Sequence, residues 1–148
     1  MEIKNKKLNI LFVCRANCFR SRIAEAYFNK INKNKDIKAK SAGVIYGYKQ
    51  SPTQIKIARE FGINIKGKSR GISSNLLKLT DILIIAADDV PQKIFNYEKN
   101  KKYIKRVIVW NIKDVKIAYN KKDVKRAIKQ IIKKVNKLNK QLKKGEIK

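Results

Sequence analysis

The sequence predicts an α/β fold, built as a doubly wound, mostly parallel sheet with helices on its faces. Short apolar segments, which are typical of buried parallel strands, alternate with segments whose apolar residues recur at helical spacing. The most regular helical pattern comes last, where apolar residues from Val124 to Leu142 recur among lysines. Strands that alternate with helices favour a parallel sheet, and such sheets bind ligands beyond the carboxyl ends of their strands.

Four segments are predicted as strands. Residues 8–13 and 82–87 are almost wholly apolar and are predicted to lie buried in the sheet. Residues 37–41 and 106–110 are weaker β-type segments, bounded by turn residues or charges. Helices are predicted over residues 20–31, 52–61, 73–79, 90–97 and 124–142.

Length and cysteine content limit the class of protein. The 148 residues contain no linker rich in Gly, Pro or Ser, so we predict a single domain over residues 1–148. Residues 1–7 resemble neither a signal peptide nor a membrane segment; we predict a frayed tail and a cytoplasmic protein without membrane association. Cys14 and Cys18 lie too close together to staple a fold, so their predicted role is chemical.

The net charge of +27 arises from 38 Lys and Arg residues against 11 Asp and Glu. Such a charge speeds association with anionic partners and predicts weak, sequence-independent contact with nucleic acid or acidic surfaces. The basic residues are mostly lysines spread over every segment, without interleaved aromatic residues. We therefore favour a solvated surface over a dedicated nucleic-acid site.

The segment CRANCFR joins the first predicted strand to the first predicted helix. A loop this short at a helix N-terminus can turn several backbone N–H groups inward, where the helix dipole also favours negative charge. The sequence therefore predicts a phosphate-binding loop formed by Arg15, Ala16, Asn17, Cys18, Phe19 and Arg20.

Four side chains in and beside this loop have predicted chemical roles. The field that favours phosphate also favours a thiolate at Cys14, which is the nucleophilic form. Arg20 can clamp two phosphoryl oxygens, and Ser21 can donate a hydrogen bond to the Cys14 sulfur. Asn17 tolerates left-handed backbone geometry. Because Arg20 and the loop amides neutralise the phosphate charge, no metal or cofactor is predicted.

The segment ILFVCRANCFRSRIAEAYF resembles the active-site signature of the low-molecular-weight protein tyrosine phosphatases, which share their fold with thioredoxin-coupled arsenate reductases. The resemblance covers the chain from about Leu8 to the last helix. It implies a flavodoxin-like sheet of four parallel strands and hydrolysis of phosphotyrosine-type phosphomonoesters through a phosphocysteine. The implied partner is a phosphorylated protein or a small phosphomonoester. Further matches are SAG at residues 41–43, where Ser41 is implied as a supporting residue, Pro52, Gly62 with Ile63, and DILII from Asp81.

The loop departs from the family pattern at three positions. The family often has Gly where Ala16 stands, Cys where Phe19 stands and Pro where Arg22 stands. The second cysteine therefore lies one position early, at Cys18. The neighbouring cysteines of the family can form a protective disulfide, and the pairing of Cys14 with Cys18 is left open.

The reaction needs a general acid, because the leaving oxygen must be protonated. The family supplies this acid from an Asp-Pro pair after the last strand, and the segment VIVWNIKDVK places Asp114 there, with Val115 in place of the proline. Asp88 and Asp89, which follow a strand, and Asp123 remain alternatives. The resemblance favours Asp114.

The loop after the SAG segment contains two tyrosines, Tyr46 and Tyr48. The family places substrate-pocket residues there, so the resemblance implies that either ring could stack on an aromatic substrate. An exposed surface without a binding role explains the same two residues. Substrate class is therefore less well defined by the sequence than the nucleophile is.

Two alternative functions remain open. Arsenate reduction also begins with a thiolate and a tetrahedral oxyanion, but it relays a disulfide through further cysteines, and none follows Cys18. A variant assisted by glutathione or mycothiol would bypass that relay. The second alternative is a non-catalytic module that binds anions or RNA. The joint presence of Cys14, Arg20, Ser21 and a candidate acid argues against it.

Overall fold

A computed structural model of the protein describes residues 7–95 and 101–147. The sheet has the strand order β2-β1-β3-β4, and all neighbouring strands are parallel. This confirms the predicted flavodoxin-like sheet of four parallel strands. The strands are β1 (Leu8–Cys14), β2 (Ile37–Gly43), β3 (Ile82–Ile85) and β4 (Arg106–Val109).

The helices follow the predicted alternation with the strands. They are α1 (Arg20–Ile31), α2 (Pro52–Glu60), α3 (Ser74–Lys78) and α4 (Lys121–Lys143). Where a helix was predicted over residues 90–97, the chain forms a short 3₁₀ turn (Gln92–Phe95), in which the N–H of Ile94 bonds to the C=O of Pro91. Residues 96–97 of that prediction, and residues 1–6 of the predicted tail, lie outside the described residues.

The core lies on both faces of the sheet because β1 alternates its side chains between them. Ile10 and Phe12 belong to a cluster with α1, α2 and α4, whereas Leu11 and Val13 belong to a second cluster with α3 and the 3₁₀ turn. The apolar stripe of α4 is buried as its spacing predicted. No helix within the described ranges is long and apolar enough to cross a membrane. The buried residues of the α4 stripe include Val124, Ile128, Ile131, Val135 and Leu138.

The strand order creates a crevice at one edge of the sheet. The chain passes from β1 to β2 on one side, and β3 pairs with β1 on the other side, so the connections diverge beyond the carboxyl end of β1. Cys14 is the last residue of β1 and pairs in register with Gly43. The loops after β1, β3 and β4 meet at this edge.

Candidate active site

Cys14 lies at the bottom of the crevice, with a relative exposure of 2%. Its sulfur is 2.9 Å from the hydroxyl oxygen of Ser21 and accepts a hydrogen bond from the backbone N–H of Asn17 at 3.3 Å. Both groups can donate to a sulfur anion. Cys14 therefore has polar partners that a cysteine at an apolar strand end would lack.

Asn17 connects the loop to three other segments. Its backbone is left-handed, with φ of 55°, and its side-chain amide donates to the hydroxyl oxygens of Ser21 at 2.8 Å and Ser41 at 2.9 Å. Its side-chain Oδ1 accepts a hydrogen bond from the backbone N–H of Arg70 at 2.7 Å. Ser41 in turn donates to a carboxylate oxygen of Glu25 on α1. This buried network holds the loop in a conformation that most residues other than glycine avoid.

Gly43, at the end of β2, lies directly against the loop. A Cβ atom at this position would lie 2.7 Å from the backbone C of Ala16 and the backbone N of Asn17. The two segments are joined just beyond it, because the N–H of Val44 bonds to the C=O of Cys14 and that of Ile45 to the C=O of Arg15. The absence of a side chain at residue 43 lets the loop pack on β2.

The loop ends at the N-terminus of α1, which begins at Arg20. The first N–H groups of a helix have no acceptor within it, and they carry the positive end of the helix dipole. Among the backbone N–H groups of residues 15–19, only that of Asn17 donates to an atom within the described residues, and its acceptor is the Cys14 sulfur. The remaining amides are thus suited to bind an anion.

Arg20 is buried, with a relative exposure of 3%, and is surrounded by acceptors. Nη2 donates to both carboxylate oxygens of Asp89, at 2.9 and 3.2 Å, and Nη1 donates to the C=O of Ile112 at 2.9 Å. A carboxylate oxygen of Asp88 lies 3.5 Å from Nη1. These groups compensate the buried charge and fix the plane of the guanidinium.

Asp114 lies in the loop after β4, which we call the acid loop (residues 110–115). Its Oδ1 is 3.7 Å from Nε of Arg20 and accepts the backbone N–H of Val115 at 2.9 Å. The side chain is 53% exposed, and it lines the same cleft as Cys14. Asp88 and Asp89 do not line that cleft. Asp123 is paired with Arg126 on α4.

The cleft above Cys14 has a volume of about 360 Å³. Tyr48 lines it, whereas Tyr46 does not and instead lies over Gly71. Tyr46 and Tyr48 are both exposed, at 71% and 59%. The sequence analysis gives both tyrosines the same implied role as pocket residues, but in the structure only Tyr48 lines the cleft. The other residues that line the cleft include Arg15, Ala16, Cys18, Phe19, Ile45, Lys49, Gln54, Val115 and Ala118.

Cys18 and Cys14 are both free thiols in the structure. The Cys18 sulfur donates to the backbone carbonyls of Ala16 at 3.6 Å and Tyr48 at 3.4 Å. Burial raises the pKa of the Cys18 thiol, the charges of Cys14 and Asp114 raise it further, and Arg22 opposes them. Cys18 is therefore a neutral hydrogen-bond donor at neutral pH.

Sequence reasoning missed several residues that position the site. Arg70 contributes through its backbone N–H, and Arg126 through hydrogen bonds from its side chain to carbonyl groups. No local sequence pattern predicts either contact. Glu25 accepts a hydrogen bond from Ser41, 16 residues away, which its local spacing does not indicate. The sequence leaves Asp88 and Asp89 open as alternative acids. In the structure Asp89 pairs with Arg20 at 2.9 Å, Asp88 lies 3.5 Å from Arg20, and neither lines the cleft of Cys14.

The family model for low molecular weight phosphotyrosine protein phosphatases matches residues 9–147. No curated protein sequence matches the chain.

Similar solved structures share the fold at low identity. A low molecular weight protein tyrosine phosphatase from T. tengcongensis is 23% identical, with a TM-score of 0.75, over 90% of this chain and 99% of that one. The YwlE arginine phosphatase from Geobacillus stearothermophilus is 18% identical, with a TM-score of 0.77, over 94% and 95%. A thioredoxin-dependent arsenate reductase from Corynebacterium glutamicum is 20% identical, with a TM-score of 0.71, over 97% and 65%.

These structures share the fold of this chain, but they are named for three different reactions, so the similarity does not identify a substrate. The family match, in contrast, spans nearly the whole chain and includes the loop, the acid loop and α4. The chain belongs to the low molecular weight phosphotyrosine protein phosphatase family.

Proposed function

We propose that the protein hydrolyses phosphotyrosine-type phosphomonoesters through a covalent phosphocysteine on Cys14. The observation that supports this most strongly is the convergence of three groups at one cleft. The Cys14 sulfur accepts the N–H of Asn17 and lies 2.9 Å from the Ser21 hydroxyl, Arg20 lines the same cleft at the start of α1, and the Asp114 carboxyl lies 3.7 Å from Arg20 Nε. A nucleophile, a phosphate clamp and a proton donor are what phosphoryl transfer to sulfur requires.

In the first step, the thiolate of Cys14 attacks phosphorus and forms the S–P bond while the bond from phosphorus to the leaving oxygen breaks. Protonated Asp114 gives its proton to that oxygen, so the leaving group departs as a neutral alcohol or phenol. The loop amides and Arg20 hold the three other phosphoryl oxygens. The two-pronged contact predicted from the sequence is not available as the structure stands, because Nη1 and Nη2 of Arg20 already donate to Ile112 and Asp89. Nε donates to no described acceptor, which leaves it for one of these oxygens.

In the second step, water attacks the phosphocysteine on the side that the leaving group vacated. The Asp114 carboxylate takes a proton from this water, the S–P bond breaks, and the electron pair returns to the Cys14 sulfur. Ser21, 2.9 Å from that sulfur, then donates to the departing thiolate. Inorganic phosphate is released and Asp114 is protonated again for the next cycle.

An aryl phosphate fits the lining of the cleft. Tyr48 supplies an aromatic wall, and Ile45 and Val115 supply apolar surface beside it. Phosphoarginine is a second candidate substrate because one structural neighbour is named an arginine phosphatase. Arg15 and Lys49 line the cleft and would repel its guanidinium, whereas Asp114, protonated as the general acid, carries no charge that would attract it. The charges therefore favour the aryl phosphate.

Arsenate reduction is less well supported by the chain's own chemistry. The sequence has two cysteines, and the Cys18 sulfur is directed toward two backbone carbonyls. A relay through a third cysteine has no residue to use. Formation of arsenite with glutathione or mycothiol, measured beside phosphatase turnover, separates this reaction from hydrolysis.

The test is turnover of a phosphotyrosine peptide, a phosphoarginine peptide and para-nitrophenyl phosphate by the wild type and by Cys14→Ser. We expect Cys14→Ser to lose on the order of 10³-fold or more of kcat, as removal of a nucleophile does. Vanadate binding should survive, because the cradle consists of backbone and Arg20, and this controls for folding. We also expect full wild-type activity in EDTA. Near-wild-type turnover by Cys14→Ser would contradict the covalent mechanism, and preference for phosphoarginine would reassign the substrate.

A further inference from the structure

The acid loop is held by two arginine side chains that belong to different helices. Nη1 of Arg20 donates to the C=O of Ile112 at 2.9 Å. From a different helix, α4, Arg126 donates from Nη1 to the C=O of Lys113 at 3.0 Å and from Nη2 to the C=O of Asp114 at 3.4 Å. Three successive carbonyl groups, ending at the candidate acid itself, therefore accept hydrogen bonds from arginines.

Arg126 is fixed in turn by its own helix. Nε and Nη2 both donate to Oδ1 of Asp123, at 2.9 and 2.6 Å, and Nη1 donates to Oε1 of Gln130 at 3.1 Å. Asp123 lies in the first turn of α4, where its N–H is capped by the side chain of Asn120. Together with the two loop carbonyls, these acceptors match the five N–H donors of a guanidinium. The Arg126 guanidinium cannot rotate without losing several of these hydrogen bonds at once.

With Val115 after Asp114, the backbone of the acid loop lacks the restraint that a proline would give, so contacts from other elements must hold it. Valine does not fix the backbone dihedral as a proline would. The buried side chain of Val115 anchors the far end of the loop, and its N–H orients the Asp114 carboxyl. Neither contact holds the carbonyl groups of Lys113 and Asp114. Arg126 supplies that restraint.

We infer that Arg126 is a positioning residue for Asp114, whose guanidinium sets the acid loop so that the carboxyl can reach the leaving oxygen. This inference rests on the proposed role of Asp114 as the general acid. Arg126 does not line the cleft and bonds to main-chain atoms and to its own helix. Its effect on the reaction must therefore pass through the placement of Asp114.

The test compares two esters in Arg126→Met. Phenyl phosphate has a basic leaving group that needs a proton, whereas 2,4-dinitrophenyl phosphate departs without one. We expect kcat/KM for phenyl phosphate to fall about tenfold or more, since a misplacement of about 1 Å can cost about 10²-fold, and kcat/KM for the dinitrophenyl ester to stay within about twofold. Arg59→Met, which removes an exposed arginine at the end of α2, is the matched control. It should change neither rate.

A double-mutant cycle separates this inference from the proposed function. In an Asp114→Asn background, Arg126→Met should cause no further loss, because no acid remains to be positioned. Additive losses, or equal losses for both esters, would overturn the positioning role. A selective loss in Asp114→Asn with none in Arg126→Met would overturn it while leaving Asp114 as the acid. No selective loss in Asp114→Asn would remove the acid assignment and the positioning role together.

Asp123→Asn is a second variant, in case Arg126→Met does not fold. It weakens the support of the guanidinium without removing the side chain that bonds to the loop. We expect the same selective loss for phenyl phosphate at a smaller magnitude, and again no further loss in the Asp114→Asn background. Equal loss for both esters in Asp123→Asn would overturn the inference.

Discussion

At the scale of single residues, the site depends on a few side chains that each satisfy several partners. Asn17 bonds to Ser21, Ser41 and the backbone of Arg70, and Ser21 contacts the Cys14 sulfur. A left-handed residue inside a buried network carries a conformational cost that its partners must offset. The geometry around the nucleophile is therefore maintained by residues from several parts of the chain rather than by the loop alone.

Cys18 allows a prediction about pH. Because burial raises the pKa of its thiol above the ordinary value of 9.0, Cys18 stays protonated and slow to react with alkylating reagents at neutral pH. In Cys14→Ser, where Cys18 is the remaining thiol, its alkylation by iodoacetamide should increase with a midpoint above that value. The same protein unfolded in urea should show the ordinary midpoint. Identical midpoints for the folded and unfolded protein would contradict the burial argument.

At the scale of elements, the contact between β2 and the loop after β1 requires a residue without a side chain at position 43. Gly43→Ala would place a Cβ 2.7 Å from the loop backbone, which cannot move aside as a flexible side chain would. We expect a loss of stability of about 1–3 kcal/mol, typical of overpacking, and vanadate affinity weakened about tenfold or more because the loop amides are displaced. Thermal unfolding and inhibition by vanadate measure the two effects.

Gly145→Ala is the matched control for this prediction. Gly145 has φ of +69° with open space around it, and it lies after α4, away from the loop. Alanine there costs stability through backbone strain alone. It should lower the melting temperature without changing the affinity for vanadate. Unchanged vanadate affinity in Gly43→Ala would show that the loop does not depend on this contact.

Most elements of the fold were predictable from local pattern, whereas the contacts that complete the site were not. The pattern of apolar residues predicts the strands and α4, and the bounds of α1 agree with its predicted range. The short 3₁₀ turn after Pro91 carries too few residues to distinguish it from an α-helix. The backbone N–H of Arg70 donates to the side chain of Asn17, 53 residues away, and the Arg126 side chain donates to carbonyl groups 13 and 12 residues away. Periodicity does not encode such contacts.

For the candidate site, the sequence predicts contacts between residues that are close together in the chain and misses contacts between residues that are far apart in it. Cys14, Arg20 and Ser21 fall within eight consecutive residues, so spacing alone brings them together. The pairing of Arg20 with Asp89 spans 69 residues and depends on the neighbouring positions of β1 and β3 in the sheet. Asp114 as the acid, and Tyr48 as a pocket wall, stay predictions that the placement of both residues in the cleft supports.

At the scale of the whole molecule, the charge of +27 is the dominant property. The positive field should attract acidic substrates over a distance that salt limits, since the screening length is about 10 Å at 0.1 M ionic strength. Contact with nucleic acid or acidic surfaces, cytoplasmic location and a single domain also stay predictions. The charge nevertheless gives a direct kinetic expectation.

We expect kcat/KM for a phosphotyrosine peptide flanked by acidic residues to fall several-fold, by roughly 3- to 10-fold, between about 0.02 and 0.5 M NaCl. A peptide of the same length flanked by lysines should lose less or gain, because the field repels it. Steady-state rates at constant pH measure both. Equal salt dependence for the two peptides would show that the net charge does not influence substrate encounter.

The most direct test of the central claim is to trap the covalent intermediate. Wild-type protein mixed with a phosphotyrosine peptide, quenched in acid during turnover and digested, should carry phosphate on the sulfur of Cys14, detected by mass spectrometry. The Asp114→Asn protein, in which activation of water is impaired, should accumulate more of this species with a dinitrophenyl ester, and Cys14→Ser should carry no cysteine phosphate. Steady hydrolysis with no phosphate on Cys14 at any quench time would contradict the phosphocysteine mechanism.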